Sequence, residues 1–181
     1  MDPQADELIG RLRRNPDDDA AFRALGDHYR QLGDFASLAN LLEGWAGRAT
    51  DPQSAAKGYI QAGEIVAGHL GDPSRARSLY EQALARDAHA DGALDGLLAM
   101  VEGQDPAATL DLLRRRGALQ QHHGDHRGLA DTEYRIGHLY EHDYARPDKA
   151  IAHYRKAFEA DPALVPAIYA AREIYRKAGN H

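Results

Sequence analysis

GDPSRARSLYEQALARD, residues 71–87, has a second copy further along the chain, ARPDKAIAHYRKAFEAD, residues 145–161. Pro73 meets Pro147, Ala76 meets Ala150, Tyr80 meets Tyr154, Ala83 meets Ala157 and Asp87 meets Asp161, all at an offset of 74. The same offset carries Gly63 to Gly137 and Leu94 to Ile168, and an offset of 72 carries Phe22, Leu25 and Tyr29 to Leu94, Leu97 and Val101. Self-similarity at a fixed period is the mark of a tandem array, in which each unit buries its apolar face against its neighbours.

The array is helical. Apolar residues recur at spacings of three and four, as in Leu38, Leu41, Leu42, Trp45 and in Leu79, Ala83, and no stretch alternates as a strand does. An acidic or amide residue precedes proline at Asp2-Pro3, Asn15-Pro16, Asp51-Pro52, Asp72-Pro73, Asp105-Pro106 and Asp161-Pro162. Each is read as a helix start, because the side chain can accept from free amides while proline suits the first turn. The pattern predicts helices over 4–14, 19–32, 35–48, 52–69, 73–87, 91–102, 106–121, 126–143, 147–160 and 164–178.

Composition removes several function classes. The 181 residues are 43% hydrophobic, enough for one domain with a substantial core. The 22 basic and 28 acidic residues are mixed along the chain, so no nucleic-acid arm or membrane patch is expected. MDPQADELIG carries neither a basic segment nor an apolar run, and no stretch approaches the roughly 18 apolar residues of a membrane span. A cytoplasmic protein is expected. The absence of cysteine excludes disulfides and thiolate metal sites.

Each 72- to 74-residue unit divides into two helical hairpins. Phe22-x-x-Leu25-Gly26-x-x-Tyr29 resembles the first half of the tetratricopeptide pattern, W-x-x-L-G-x-x-Y, and weaker copies follow at Tyr59-x-x-Ala62-Gly63-x-x-Val66 and Ile136-Gly137-x-x-Tyr140. The second half, A-x-x-x-F, is matched by Ala76-x-x-x-Tyr80 and Ala150-x-x-x-Tyr154, with Ala83 and Ala157 at the small position that follows. The resemblance to tetratricopeptide repeats runs over nearly the whole chain. It implies an all-α, right-handed superhelical solenoid of antiparallel helix hairpins: a capping helix in 1–16, hairpins in 17–50, 51–89, 90–124 and 125–162, and the first helix of a fifth in 163–181. The whole is read as a single repeat domain. Ile168, Tyr175 and Gly179 match Phe22, Tyr29 and Gly33, so the sequence stops where a partner helix should begin. An N-terminal fragment of a longer repeat protein is the expectation, with His181 as the start of a purification tag.

The sequence also departs from the pattern. Spacings between Gly26, Gly63, Leu98, Gly137 and Arg172 are 37, 35, 39 and 35, against a norm of about 34. Leu98 and Arg172 replace the usual small residue, Glu133 stands where an aromatic is common, and Trp45 occupies a site normally small.

In the resembled family the first helix of each hairpin lines a concave groove. Carried over by repeat position, the groove residues are Arg23, Asp27 and Arg30; Lys57, Glu64, Asp95, Glu102, Asp131, Tyr134, His138, Glu141 and His142; and Tyr169, Glu173, Arg176 and Lys177. The centre of this set is acidic, which favours a partner peptide or helix with Lys or Arg in its middle. Asp27 and Glu64 stand where family members that bind acidic chaperone tails carry a carboxylate clamp, so such tails are not expected here. Tyr134 and Tyr169 are candidate contact anchors, while Tyr80 and Tyr154 fall at core positions.

One motif points elsewhere. HLYEH, residues 138–142, is H-x-x-E-H, the inverted-zincin pattern in which two histidines hold zinc and a glutamate acts as base. His138, Glu141 and His142 share one helical stripe, with Glu102 as the candidate third ligand. HHGDH, residues 122–126, reads as a connector with Gly124 at its centre. The function expected is a non-catalytic protein-interaction scaffold without cofactor. A metal protein or zinc hydrolase built on His138 and His142 stays open, as does a structural segment that self-associates through its C-terminal helix.

Overall fold

The computed structural model describes residues 2–177. Ten helices follow one another: α1 (Pro3–Arg14), α2 (Asp19–Leu32), α3 (Phe35–Arg48), α4 (Pro52–Ile65), α5 (Pro73–Arg86), α6 (Asp91–Val101), α7 (Pro106–His123), α8 (His126–His142), α9 (Pro147–Ala160) and α10 (Val165–Lys177). No strand occurs among the described residues. The chain divides into two compact units, residues 1–96 and 97–181, with the boundary inside α6.

Local chemistry sets most of the ends. Asp2, Asp51, Asp72 and Asp105 each accept a hydrogen bond from an amide of the first turn that follows, with proline at its start. Asp34, Asp72 and Asp125 each follow a glycine in the left-handed conformation, Gly33, Gly71 and Gly124, so a Gly-Asp pair both stops one helix and caps the next. The HHGDH stretch is such a junction.

Two expected starts are not starts. Asn15 is extended and closes α1, its amide donating to Arg11 O; the cap of α2 is Asp18, which accepts from Ala21 N at 2.9 Å and from the Arg11 guanidinium at 2.8 Å. Asp161 likewise closes α9, and its carboxylate accepts from Ala163 N, two residues on. That bond makes an Asx turn, with Pro162 inside it, so α10 begins only at Val165. The expected helix over 52–69 also divides: α4 ends at Ile65 and a single π turn, Val66–Leu70, carries His69 onto Phe35 with ring centroids 3.7 Å apart. Gly179 and His181, named above, lie outside the described residues.

Within the first unit α1 packs on α2, α2 on α3, α3 on α4 and α4 on α5. The core is Leu8, Ala21, Leu25, Leu38, Leu42, Ala62, Leu79 and Ala83, closed by Tyr80, which is 3% exposed. Full burial of one such large side chain contributes roughly 1.5–3 kcal/mol. The Tyr80 ring lies directly on Gly63 of α4 and Gly96 of α6; a Cβ on Gly63 would sit 2.7 Å from Tyr80 Cε1. Trp45, at a normally small site, is accommodated the same way: Gly58 of α4 leaves room for it, and its ring tilts on Phe22 at 5.4 Å.

In the second unit α7 packs on α8, α8 on α9 and α9 on α10. Tyr154 of α9, 1% exposed, lies on Gly137 of α8 as Tyr80 lies on Gly63. Glu133, which stands at a usual aromatic site, meets His153 Nδ1 at 2.6 Å, and the His153 ring stacks on Tyr140. A half-buried polar pair thus fills the place of an aromatic contact.

Candidate interaction surface

In the first unit Arg23, Asp27 and Arg30 on α2, Lys57 and Glu64 on α4 and Asp95 on α6 are all exposed. Arg30 donates to Asp27 at 2.8 Å and Arg23 stands 3.7 Å from Asp19, so charge on α2 is matched along its own helix.

In the second unit Asp131, His138 and His142 on α8, Glu102 just after α6, and Tyr169, Glu173 and Arg176 on α10 are exposed. Tyr134 and Glu141 are half-buried. Tyr134 tilts against Tyr154 at 5.4 Å and lines a cleft of about 380 Å³ with Glu102, Pro106, Leu113, Arg135 and His138. Tyr169 is 60% exposed.

The acidic residues of this stripe do not stand alone. Arg135 donates to Glu102 at 2.8 Å and lies 4.0 Å from Asp131, while Lys177 lies 3.7 Å from Glu141. Arg135 falls outside the groove positions of the repeat, so the pattern did not select it; Asp131 four residues before it was the available signal. Glu141 also accepts from the Tyr154 hydroxyl at 2.8 Å. Burial first, then this bond and the Glu141 charge, push the Tyr154 phenol far above its ordinary range.

These bonds bear on the zinc motif. The His138 and His142 rings are neighbours, with centroids 4.1 Å apart, and His142 Nε2 lies 3.8 Å from Glu141 Oε2. Glu141, however, is bound to Tyr154, and Glu102 is bound to Arg135. Among the described residues no group of three or more His, Asp or Glu side chains is arranged to hold a metal ion. Two exposed histidines without a third ligand lack the three-ligand, water-excluding geometry of a catalytic zinc centre.

Comparison with solved structures places this architecture. A crystal structure of MamA aligns over 89% of this chain and 82% of its own, with 22% identity and a TM-score of 0.57. BtubC from P. vanneervenii covers 98% and 81%, with 17% identity and a TM-score of 0.59. YrrB, described as a TPR protein with an unusual peptide-binding site, covers 98% and 86%, with 17% identity and a TM-score of 0.57. The chain has the tetratricopeptide-repeat fold. This likeness is one of fold: no protein-family model matches the sequence, and no curated protein matches it either. Within the tetratricopeptide frame Gly63 and Gly137 occupy the small position of the first helix, and Tyr80 and Tyr154 are the second-helix aromatics that demand it. No described helix is long and apolar enough to cross a membrane.

Proposed function

We propose that this protein is a non-catalytic interaction module whose second unit takes a partner peptide or helix against the stripe of α8 and α10. The observation that carries this reading is the make-up of the stripe: Asp131, His138 and His142 of α8, Tyr169 and Glu173 of α10 and Glu102 between α6 and α7 are exposed, and Lys177 of α10 reaches Glu141 of α8. Tyrosine supplies area with a polar tip, and the charges supply selectivity rather than chemistry. A partner segment with Lys or Arg at its centre exchanges with Arg135 for Glu102 and Asp131.

The test is a quantitative pull-down from native-host lysate with wild type and with Glu102→Lys/Asp131→Lys. Glu141 is left alone because it holds Tyr154. Loss of specific partners supports the assignment; the same partners in the same amounts move the interaction to another face. A second use, stacking of α10 on another copy, is favoured by Val165, Ile168, Tyr169 and Tyr175, which are 44–60% exposed. Light scattering that stays monomeric across concentration removes it.

A further inference from the structure

The first three helices leave a cleft that the stripe described above does not use. Helices α1 and α3 both pack on α2 without closing on each other. Between them lies an open trough of about 530 Å³, floored by Leu25 and Tyr29 and walled by Leu12 and Leu41. Its charged lining residues are Arg13 and Arg48, in the last turns of α1 and α3. Both are exposed, and among the described residues neither is joined to a carboxylate.

The equivalent seam between α3 and α5, in the same unit, is built differently. Arg75 straps it by donating to Asn40 at 2.7 Å and to Glu43 at 2.8 Å, and Arg86 donates to the carbonyl of Ala49. At the α1–α3 seam the position of Arg75, third after the cap, is taken by Ser37, and Arg11 is committed to Asp18. The seam is therefore largely apolar, open, and bordered by two exposed guanidinium groups with no carboxylate partner among the described residues.

The dimensions identify the occupant. At 1.5 Å per residue, the helical lining from Ile9 to Arg13 and from Ser37 to Arg48 runs about 6 and 16 Å, or one to three helical turns. A trough open along its length leaves an acyl chain half in water, whereas a helix seats one apolar face and keeps the other wet. We propose that the α1–α3 trough docks an amphipathic acidic helix of a partner protein, with its apolar stripe on Leu12, Leu25, Tyr29 and Leu41 and its carboxylates on Arg13 and Arg48. Its charge preference is opposite to that of the α8 stripe, so the two surfaces select different partners.

The probe is a fluorescent peptide of about fourteen residues, with leucines at spacings of three and four and glutamates between them, and its twin with lysine for glutamate. Anisotropy titrations use the full chain, with folding checked by circular dichroism. Wild type should bind the glutamate peptide roughly tenfold more tightly than the lysine peptide, and Arg13→Glu/Arg48→Glu should reverse that order. Leu12→Gln should weaken both, and Glu102→Lys/Asp131→Lys should change neither. If the double reversal unfolds the protein, Arg13→Gln and Arg48→Gln read the same loss without it. Equal affinity for the two peptides, or a preference untouched by the arginine variants, overturns the proposal. So does saturable dodecanoate binding that displaces the peptide and exceeds its affinity, which would assign the trough to an acyl ligand.

Discussion

Gly137→Ala and Gly26→Ala make the same chemical change at the same repeat position, and the structure gives them opposite outcomes. Both residues lie inside helices, so alanine brings each about 1 kcal/mol of helix propensity. At Gly26 the new methyl meets nothing closer than Leu38 Cδ1 at 3.7 Å, an ordinary contact, and the gain survives. At Gly137 it would sit 2.6 Å from Cδ1 and Cε1 of Tyr154 and 3.3 Å from Ala150 O. The Tyr154 ring cannot withdraw, being 1% exposed and tethered at its hydroxyl to Glu141. Overpacking of this kind costs about 1–3 kcal/mol, leaving a net loss of up to about 2 kcal/mol. With about 2–4 °C per kcal/mol for a chain of this size, Gly137→Ala should lower Tm by up to about 8 °C, while Gly26→Ala raises it by 2–4 °C. Thermal unfolding followed by circular dichroism reads both. Adding Tyr154→Leu to Gly137→Ala should cost less than the sum of the two single changes, since the leucine leaves room for the methyl. Two single variants that shift Tm equally and in the same direction would show that the small residue answers to the backbone and not to the tyrosine, and the account of the Gly137–Tyr154 contact would fail.

Three further outcomes follow from particular contacts. Tyr154→Phe should cost about 1.5–3 kcal/mol in urea unfolding, the loss of one half-buried hydrogen bond to a carboxylate. Because the folded-state pKa of Tyr154 is raised, wild type binds this proton more tightly when folded; stability should fall as pH rises above about 10, the unfolded value, and Tyr154→Phe should flatten that fall. Asp18→Ala should lower Tm more than Asn15→Ala, because Asp18 is the cap of α2 and Asn15 is not; the amide of Ala21, then Arg11, hold the Asp18 carboxyl below its ordinary range, so its contribution is present above about pH 4 and lost as pH falls through the folded value. Equilibrium dialysis should find no stoichiometric tight zinc and no change in His138→Ala/His142→Ala; tight binding lost in that variant would restore the metal reading.

Much of this architecture was legible before any coordinate. The repeated 17-residue segment and the three- and four-residue spacings placed all ten helices, since periodicity and capping are local and act over a few neighbours. Asn15-Pro16 and Asp161-Pro162 misled for an instructive reason: an Asx turn and a helix cap use the same residues and differ only in which amide reaches the side-chain oxygen. Repeat position alone named residues that are mostly exposed, but it carried nothing of their electrostatics. Arg135 reaches Glu102 across 33 residues and Lys177 reaches Glu141 across helices, so charges that read as an acidic centre are partly matched.

The sequence by itself determined that this polypeptide is a run of separately capped helices paired into hairpins, because hydrophobic period and turn chemistry are written residue by residue. Only the tertiary structure decided that Glu141 is a packing partner of Tyr154 rather than a free base, that Trp45 rests against Gly58, and that the α1–α3 seam is open where the α3–α5 seam is strapped. Those are facts of which side chains converge from distant positions, and convergence depends on how helices pack, which no local spacing encodes.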